Sequence, residues 1–230
     1  MTETVAILGG TGNLGFGVAV RLGKAGYPVV IGSRDLERAK VAAARAAEAV
    51  PGAGFRGEAN ADAAAAADRL VIVAVPFASQ VATLKGVADS LREGQVVLDA
   101  TVPLGPAVGG KPTQLLGVWS GSAAQQARAT VPKHVGVVAG LHTLSAATLE
   151  QLDLPLDQDT LLCGDRTEDK AVAAAILGAI EGLRVVDAGR LEMSRLVEGL
   201  TPLLIGINIR NKTHAGIRVV GLDPPATPGG

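Results

Sequence analysis

Seven residues near the start of the chain, Gly9 to Gly15 in "GGTGNLG", restrict its fold more than any other stretch. They follow "TVAIL" (4–8), a β-branched-rich apolar run that reads as a buried strand. They open a stretch over 13–25 in which Leu14, Val18 and Leu22 recur every four residues, as on one face of a helix. A strand that passes through Gly10-x-Gly12-x-x-Gly15 into a helix is the start of a dinucleotide-binding unit. Gly10 permits the tight turn, Gly12 lets the backbone approach a pyrophosphate, and Gly15 lets the helix pack against the strand. Amides at the helix start then meet the phosphates with a favourable dipole. With 30 glycines in 230 residues the spacing alone is weak, and a plain strand-to-helix turn without ligand is the alternative. The position after a buried strand and before a helix favours the ligand.

The alternation continues. "PVVIG" (28–32), "GFRGEA", "LVIVAV" (70–75) and "QVVLDA" (95–100) read as strands; 35–49, 61–68 and 77–92 read as helices. The near-continuous apolarity of "LVIVAV" suits a strand covered on both faces. Gly- and Pro-rich 103–121 reads as a long loop, followed by a helix (122–130) and a strand (135–139). The expected fold is therefore α/β, a Rossmann-type doubly wound parallel sheet over 1–140. From 141 to 220 the pattern restarts as a second, smaller C-terminal α/β domain. It has strand-like "TLLCG" and "LRVVDAG" and helices over 168–181 and 191–210. Residues 221–230, "GLDPPATPGG", are expected to be a disordered tail.

"VVIGSRDLER" (29–38) carries the next constraint. A carboxylate after the second strand would accept hydrogen bonds from a ribose 2′-hydroxyl and repel a 2′-phosphate. This chain has Ser33 there, then Arg34, with Arg38 one turn along the next helix. A hydroxyl and two guanidinium groups suit a phosphate dianion, so the sequence predicts NADP over NAD. Otherwise, Arg34 and Arg38 are solvated helix-start residues beside Asp35 and Glu37. "VAVP" (73–76) and "DATVP" (99–103) end the fourth and fifth strands. Ligands in such sheets bind outside the carboxyl ends of the strands. The loops that start at Pro76 and at Val102, the latter with Pro103, are therefore expected to flank the ribose and nicotinamide, unless the prolines simply terminate strands.

Composition narrows the partners. With 21 basic and 22 acidic residues the net charge is −1, which gives no general attraction to nucleic acid or an anionic membrane. Three Phe, one Tyr and one Trp leave little for a base-stacking platform. No apolar run reaches the length of a spanning helix, and "MTETVAILGG" lacks the layout of a secretion signal. The single Cys163 excludes an intrachain disulfide. A cytoplasmic enzyme with small-molecule partners, neither nucleic acid nor membrane, is the expectation.

These segments, with "AGLHTL" (139–144), "LLCGD" (161–165), "GLRVVDAG" (182–189) and "SRLVEGLTPLLIGIN" (194–208), resemble the NADPH:coenzyme F420 oxidoreductases from Val5 to about Val220. The resemblance implies a two-domain protein, a homodimer, with NADP on the larger domain and a deazaflavin, coenzyme F420, in the cleft against the smaller. It implies reversible hydride transfer between nicotinamide C4 and deazaflavin C5. Position by position, Thr11 to Leu14 correspond to the pyrophosphate loop and Ser33, Arg34 and Arg38 to the 2′-phosphate site. Val75, Val102 and Ala146 correspond to the nicotinamide end, and His142 to a position beside the deazaflavin. Gly206 and Ile207 lie where small residues admit its ring. The chain departs from some relatives at Arg38 (Lys), Phe77 (Trp) and Ser145 (Pro).

Hydride transfer between two bound rings needs alignment more than acid–base help. In keeping with that, no catalytic triad, acid–base pair or metal-ligand set stands out. His142 reads either as a ring contact or hydrogen-bond donor, or as a structural histidine. His134 and His214 read as surface or structural, Cys163 as a buried small hydrophobe, and Asp165 and Asp187 as caps. Leu196, Leu200, Leu203, Leu204 and Ile207 mark one helical face for core or dimer packing. Two other functions remain open at this level. One is a reductase of a small imine or carbonyl, with His142 or Lys133 as proton donor. The other is a non-enzymatic NADP sensor.

Overall fold

A computed structural model of the chain describes residues 3–222. The expected tail therefore lies outside the described residues from 223 onward. Eight strands form a single sheet in the order β3-β2-β1-β4-β5-β6-β7-β8. They are β1 (Val5–Leu8), β2 (Val29–Ser33), β3 (Phe55–Ala59), β4 (Leu70–Val73), β5 (Val96–Asp99), β6 (Gly136–Ala139), β7 (Gln158–Gly164) and β8 (Leu183–Asp187). The first six are mutually parallel, with Val5 opposite both Val29 and Leu70. Eight helices cover the two faces: α1 (Asn13–Lys24), α2 (Leu36–Ala49), α3 (Asn60–Ala66), α4 (Phe77–Val87), α5 (Ala123–Thr130), α6 (Ala146–Leu149), α7 (Thr167–Leu177) and α8 (Ser194–Asn211).

β1, β4, β5 and β6 are buried along their whole length, which explains their unbroken apolarity. Their side chains alternate between two cores. Val5, Ile7, Ile72 and Leu98 face α1, α2 and α7; Ala6, Leu8, Val71, Val73 and Val97 face α3, α4 and α5.

The last two strands lengthen the same sheet. β7 pairs antiparallel with β6 through Val138 opposite Gly164 and Ala139 opposite Cys163, and β8 then runs parallel to β7. Between β6 and β7 the chain forms only the short α6, unforeseen from sequence, rather than a helix long enough to cross the sheet and return parallel. Several other elements are shorter than the pattern suggests, among them α7, expected over 168–181, which ends at Leu177, and α3, expected over 61–68, which ends at Ala66. β4 stops at Val73, which frees Ala74, Val75 and Pro76 as loop. α4 ends at Val87 and continues as a 3-10 turn over Ala88–Ser90. A 3-10 turn over Leu191–Met193 precedes α8. The 103–121 segment is a loop with one 3-10 turn (Gly105–Val108), tied by a bridge between Leu104 and Leu115.

Candidate functional site

The carboxyl ends of β1, β2 and β4 open into a cavity of about 470 Å³. The glycine turn forms its floor. Gly9, not Gly10, takes the left-handed backbone (φ +82), and a Cβ there would lie 2.7 Å from the Ala74 carbonyl oxygen. The tight-turn role read onto Gly10 thus belongs one residue earlier; Gly10 is buried against Ile31. A Cβ on Gly15 would come within 2.6 Å of the Gly9 carbonyl oxygen, so this glycine lets α1 start close to the turn. Gly12 is exposed, is the N-cap of α1, and would meet nothing closer than 3.4 Å. The helix start has no side-chain cap and no acidic residue in its first turn. Its free amides and positive dipole end therefore have no counter-charge of their own, the arrangement that receives phosphate.

Thr11, Gly12, Ser33, Arg34, Arg38, Val75 and Pro76 all line this cavity. The Ser33 Oγ accepts the Asp35 N–H at 3.2 Å, which leaves its own hydrogen free to donate. Asp35 caps α2 by accepting the Glu37 and Arg38 amides. Among the described residues, Arg34 and Arg38 form no ion pair; Glu37 pairs with Lys40 at 2.8 Å. Two exposed guanidinium groups thus stand beside a hydroxyl and, although Asp35 also lines the cavity, among the described residues no carboxylate lies within ion-pair distance of either. Asn60, Ser79 and Thr83 also line the cavity. No motif marks them: they arrive there through strand register, the first turn of α3 and the first two turns of α4.

A second cavity, of about 290 Å³, lies beyond the ends of β5 and β6. Leu14, Ala100, Val102, His142, Ser145 and Ala146 line it together with Thr201, Leu204, Ile205 and Asn208 of α8. His142 is 4% exposed, and neither Nδ1 nor Nε2 has a hydrogen-bond partner. Burial holds its pKa down at about 4; the Thr101 backbone opposes that shift without meeting hydrogen-bond geometry with either ring nitrogen. The ring is therefore neutral near pH 7, with one N–H to give and one lone pair to fill. Its backbone is fixed from several sides. Leu141, fully buried, has φ +72, a left-handed conformation that costs a residue with a Cβ roughly 1–3 kcal/mol. Its amide is held by the Thr160 hydroxyl at 2.8 Å, and Thr201 Oγ1 donates to the His142 carbonyl at 2.8 Å.

The remaining predicted residues are placed otherwise. Asn13 is exposed in the first turn of α1. Pro103 is buried and lines neither cavity; its carbonyl accepts the Leu116 amide at 2.7 Å. Gly206 and Ile207 line an outer groove with Thr113, Leu203 and Arg210, while Ile205 and Asn208 face His142. The apolar face read along α8 is accordingly split: Leu204 is buried, whereas Leu196 and Leu203 are more than half exposed. His134, His214 and Lys133 are exposed, and Lys133 precedes β6, at the opposite end of the sheet from both cavities. Burial raises the Cys163 thiol to about 11, so it is no nucleophile near neutral pH. Asp165 and Asp187 accept the Leu191 and Gly189 amides. Among the described residues, no group of His, Cys, Asp and Glu could hold a metal ion, and no helix is long and apolar enough to cross a membrane.

A family model described as "NADP oxidoreductase coenzyme F420-dependent" matches residues 4–103. A protein of Methanocaldococcus jannaschii named F420-dependent NADP reductase is 42% identical over 224 residues, 95% of this chain and 99% of that protein. Its namesake from Methanothermobacter thermautotrophicus is 39% identical over 226 residues, 96% of this chain and 97% of that protein. The solved structure of a putative F420-dependent NADP-reductase from Arthrobacter sp. FB24 superposes with a TM-score of 0.76 at 29% identity, covering 92% of this chain and 96% of that one.

Proposed function

The chain belongs to the F420-dependent NADP reductase family, and on that premise we propose how its residues divide the work of moving a hydride between NADP(H) and coenzyme F420. When bound, the two groups supply the reacting carbons, C4 of the nicotinamide and C5 of the deazaflavin. The protein supplies placement, a dry site and charge.

The cavity at β1, β2 and β4 holds the nucleotide. The amides that open α1 receive the pyrophosphate, and Ser33, Arg34 and Arg38 receive the 2′-phosphate. Val75 and Pro76 lie along the strand-end path from the phosphates toward the nicotinamide. The cavity at β5 and β6 holds the deazaflavin against Val102, Ala146, Ile205 and Asn208. There the unpartnered ring of His142 gains the hydrogen bond it lacks. Because the imidazole stays neutral, it orients a ring and does not protonate one. Residues 1–140 act as the nucleotide unit, and 141–220 complete the cleft.

The observation that carries this reading is the juxtaposition of a guanidinium-lined cavity at the glycine turn with a second cavity facing a buried, unsatisfied histidine. An imine or carbonyl reductase would need a proton donor. Lys133 is at the wrong end of the sheet, and His142 is too weak a base to be protonated near neutral pH.

The exposed Leu196, Leu203 and Ile207 on α8 suit burial against a second copy, which supports a homodimer, and the single free thiol of Cys163 suits a reducing, cytoplasmic compartment. Deuterium transfer tests the reaction: NADPH labelled at the transferable C4 position should give reduced F420 carrying the label. Label appearing in solvent instead would contradict direct transfer. Sedimentation would test the dimer.

A further inference from the structure

Behind the two cavities lies a buried polar lattice to which neither the glycine turn nor the deazaflavin pocket assigns a role. Its centre is Gln80, which has no solvent exposure. The Nε2 of Gln80 has two hydrogens and three acceptors: Asp99 Oδ2 at 2.8 Å, Thr101 Oγ1 at 2.7 Å and the Ala123 carbonyl at 2.9 Å. Its Oε1 accepts from Gln126 Nε2 at 2.8 Å. Thr101 Oγ1 also lies 2.9 Å from Asp99 Oδ2. Every polar atom of the Gln80 side chain is therefore engaged, and its partners come from two other elements, the end of β5 and helix α5.

Those elements carry the walls of the two cavities. Gln80 sits in the first turn of α4, between Ser79 and Thr83, which line the nucleotide cavity just after Val75 and Pro76. Thr101 lies between Ala100 and Val102, which line the deazaflavin cavity. Ala123 begins α5, and the amides of Ala123 and Ala124 are held by Glu198 of α8 at 2.9 and 3.1 Å. A turn further along, α8 presents Thr201, Leu204 and Ile205 to the same cavity. The wall of one cavity is thus joined to the β5 wall of the other through Gln80 directly, and to its α8 wall through Gln80, α5 and Glu198.

We propose that Gln80 is a positioning residue for hydride transfer. By fixing the β4–α4 loop against the end of β5 and against α5, it sets the separation of the two reacting carbons. It touches neither ring. An apolar side chain would fill the same space, but would leave Asp99 and Thr101 without their shared donor and let the two loops drift. A misplacement of about 1 Å in a hydride-transfer site costs on the order of 100-fold in rate. The proposal rests on the reading of the protein as an NADP–F420 oxidoreductase.

The test uses the full-length protein with Gln80→Met, Thr101→Val and Thr101→Ser. Single-turnover reduction of F420 is followed with NADPH and with NADPH deuterated at C4, over a range of temperatures. The expected result for Gln80→Met and Thr101→Val is a hydride-transfer rate lowered about 10- to 100-fold, with NADPH affinity changed less than about 3-fold. The isotope effect should become more temperature-dependent, as it does when the donor–acceptor distance is less tightly held. Thr101→Ser, which keeps the hydroxyl, should behave like wild type. A purely structural role would lower the melting temperature without altering the isotope effect. Should Gln80→Met fail to fold, the Thr101 pair decides. If an active wild type and its Thr101→Val variant share one rate and one isotope-effect profile, the positioning role is overturned. If the wild type does not reduce F420, the functional reading falls and the proposal with it.

Discussion

Arg21 offers the most demanding test of how the cavity beside His142 is built. It lies in α1, 2% exposed, in the otherwise apolar stretch "VAVRLG". Its guanidinium donates to four carbonyls at the end of α6 and in the loop after it: Nε to Leu149 at 2.8 Å, Nη1 to Leu154 at 2.8 Å, and Nη2 to Thr148 at 2.9 Å and Gln151 at 2.6 Å. Lys24 adds a bond to the Leu152 carbonyl at 2.6 Å. This segment follows Ser145 and Ala146, which line the cavity, so α1 carries the glycine turn at its start and holds the cavity wall near its end. Arg21→Met keeps the length of the stem and removes all four bonds. A hydrogen bond to a charged group is worth about 1.5–3 kcal/mol, and four of them would suggest roughly 6–12 kcal/mol. Two effects cut that sum. Burial disfavours the cation, as the lowering of its pKa shows, and three of the bonds are only partly buried, so water can replace them. The fully buried Leu149 carbonyl is the main loss. A net cost of about 3 kcal/mol follows, which for a chain of this size is a drop of roughly 6–12 °C in melting temperature. Calorimetry gives the stability. Steady-state kinetics should then show KM rising for F420 while NADPH affinity holds. Arg21→Lys should fall between the two, because an ammonium cannot reproduce the planar fork. A melting temperature within about 2 °C of wild type, the range of an ordinary surface change, would refute the clamp.

Further outcomes follow from the same geometry. Arg34→Glu should weaken NADPH binding by roughly 10- to 150-fold, the loss of a charge-assisted contact, while leaving NADH binding little changed; fluorescence titration measures both, and an equal loss for the two would remove Arg34 from the 2′-phosphate site. Burial pushes Glu198 up to about 7, against the pull of the two α5 amides. A carboxyl raised in the folded state is protonated there while the unfolded chain is already ionised, so it costs stability as pH rises from near its ordinary 4.5 through about 7. Relative to Glu198→Gln, the wild type should therefore lose melting temperature across that window, and parallel curves would contradict it. His142 should behave oppositely to an exposed histidine. The ring resonances of His142 should titrate only at about pH 4. Titration of the His142 ring close to the ordinary 6.5 would mean that the cavity is wet.

The strand–turn–helix start was readable because the glycine spacing reports steric necessity, and the error of one residue at Gly10 shows its limit. The motif marks which residues lack a Cβ, but only the backbone shows that Gly9 carries the left-handed turn. Ser33, Arg34 and Arg38 were readable because their position follows from the end of β2. The α8 contacts were not. In "LTPLLIGIN" apolar residues occupy several faces, so periodicity does not select one, and a step of one residue turns a side chain by about 100°. This is why Ile205 and Asn208 face His142 while Gly206 and Ile207 face outward. Gln80 and Arg21 gave no signal either. A glutamine in an amphipathic helix and an arginine among small residues read as surface groups, and their partners are 19 to 46 and 127 to 133 positions away in sequence.

The central claim is that this site passes a hydride between NADPH and a deazaflavin and chooses NADPH by its 2′-phosphate. The measurement that tests it most directly is the visible absorbance of oxidised F420 mixed with purified protein and either NADPH or NADH. Rapid loss of the deazaflavin band with NADPH and little with NADH is the predicted result. No loss with NADPH, in a protein that still binds it, would contradict the account; equal loss with both would contradict the role of Ser33, Arg34 and Arg38.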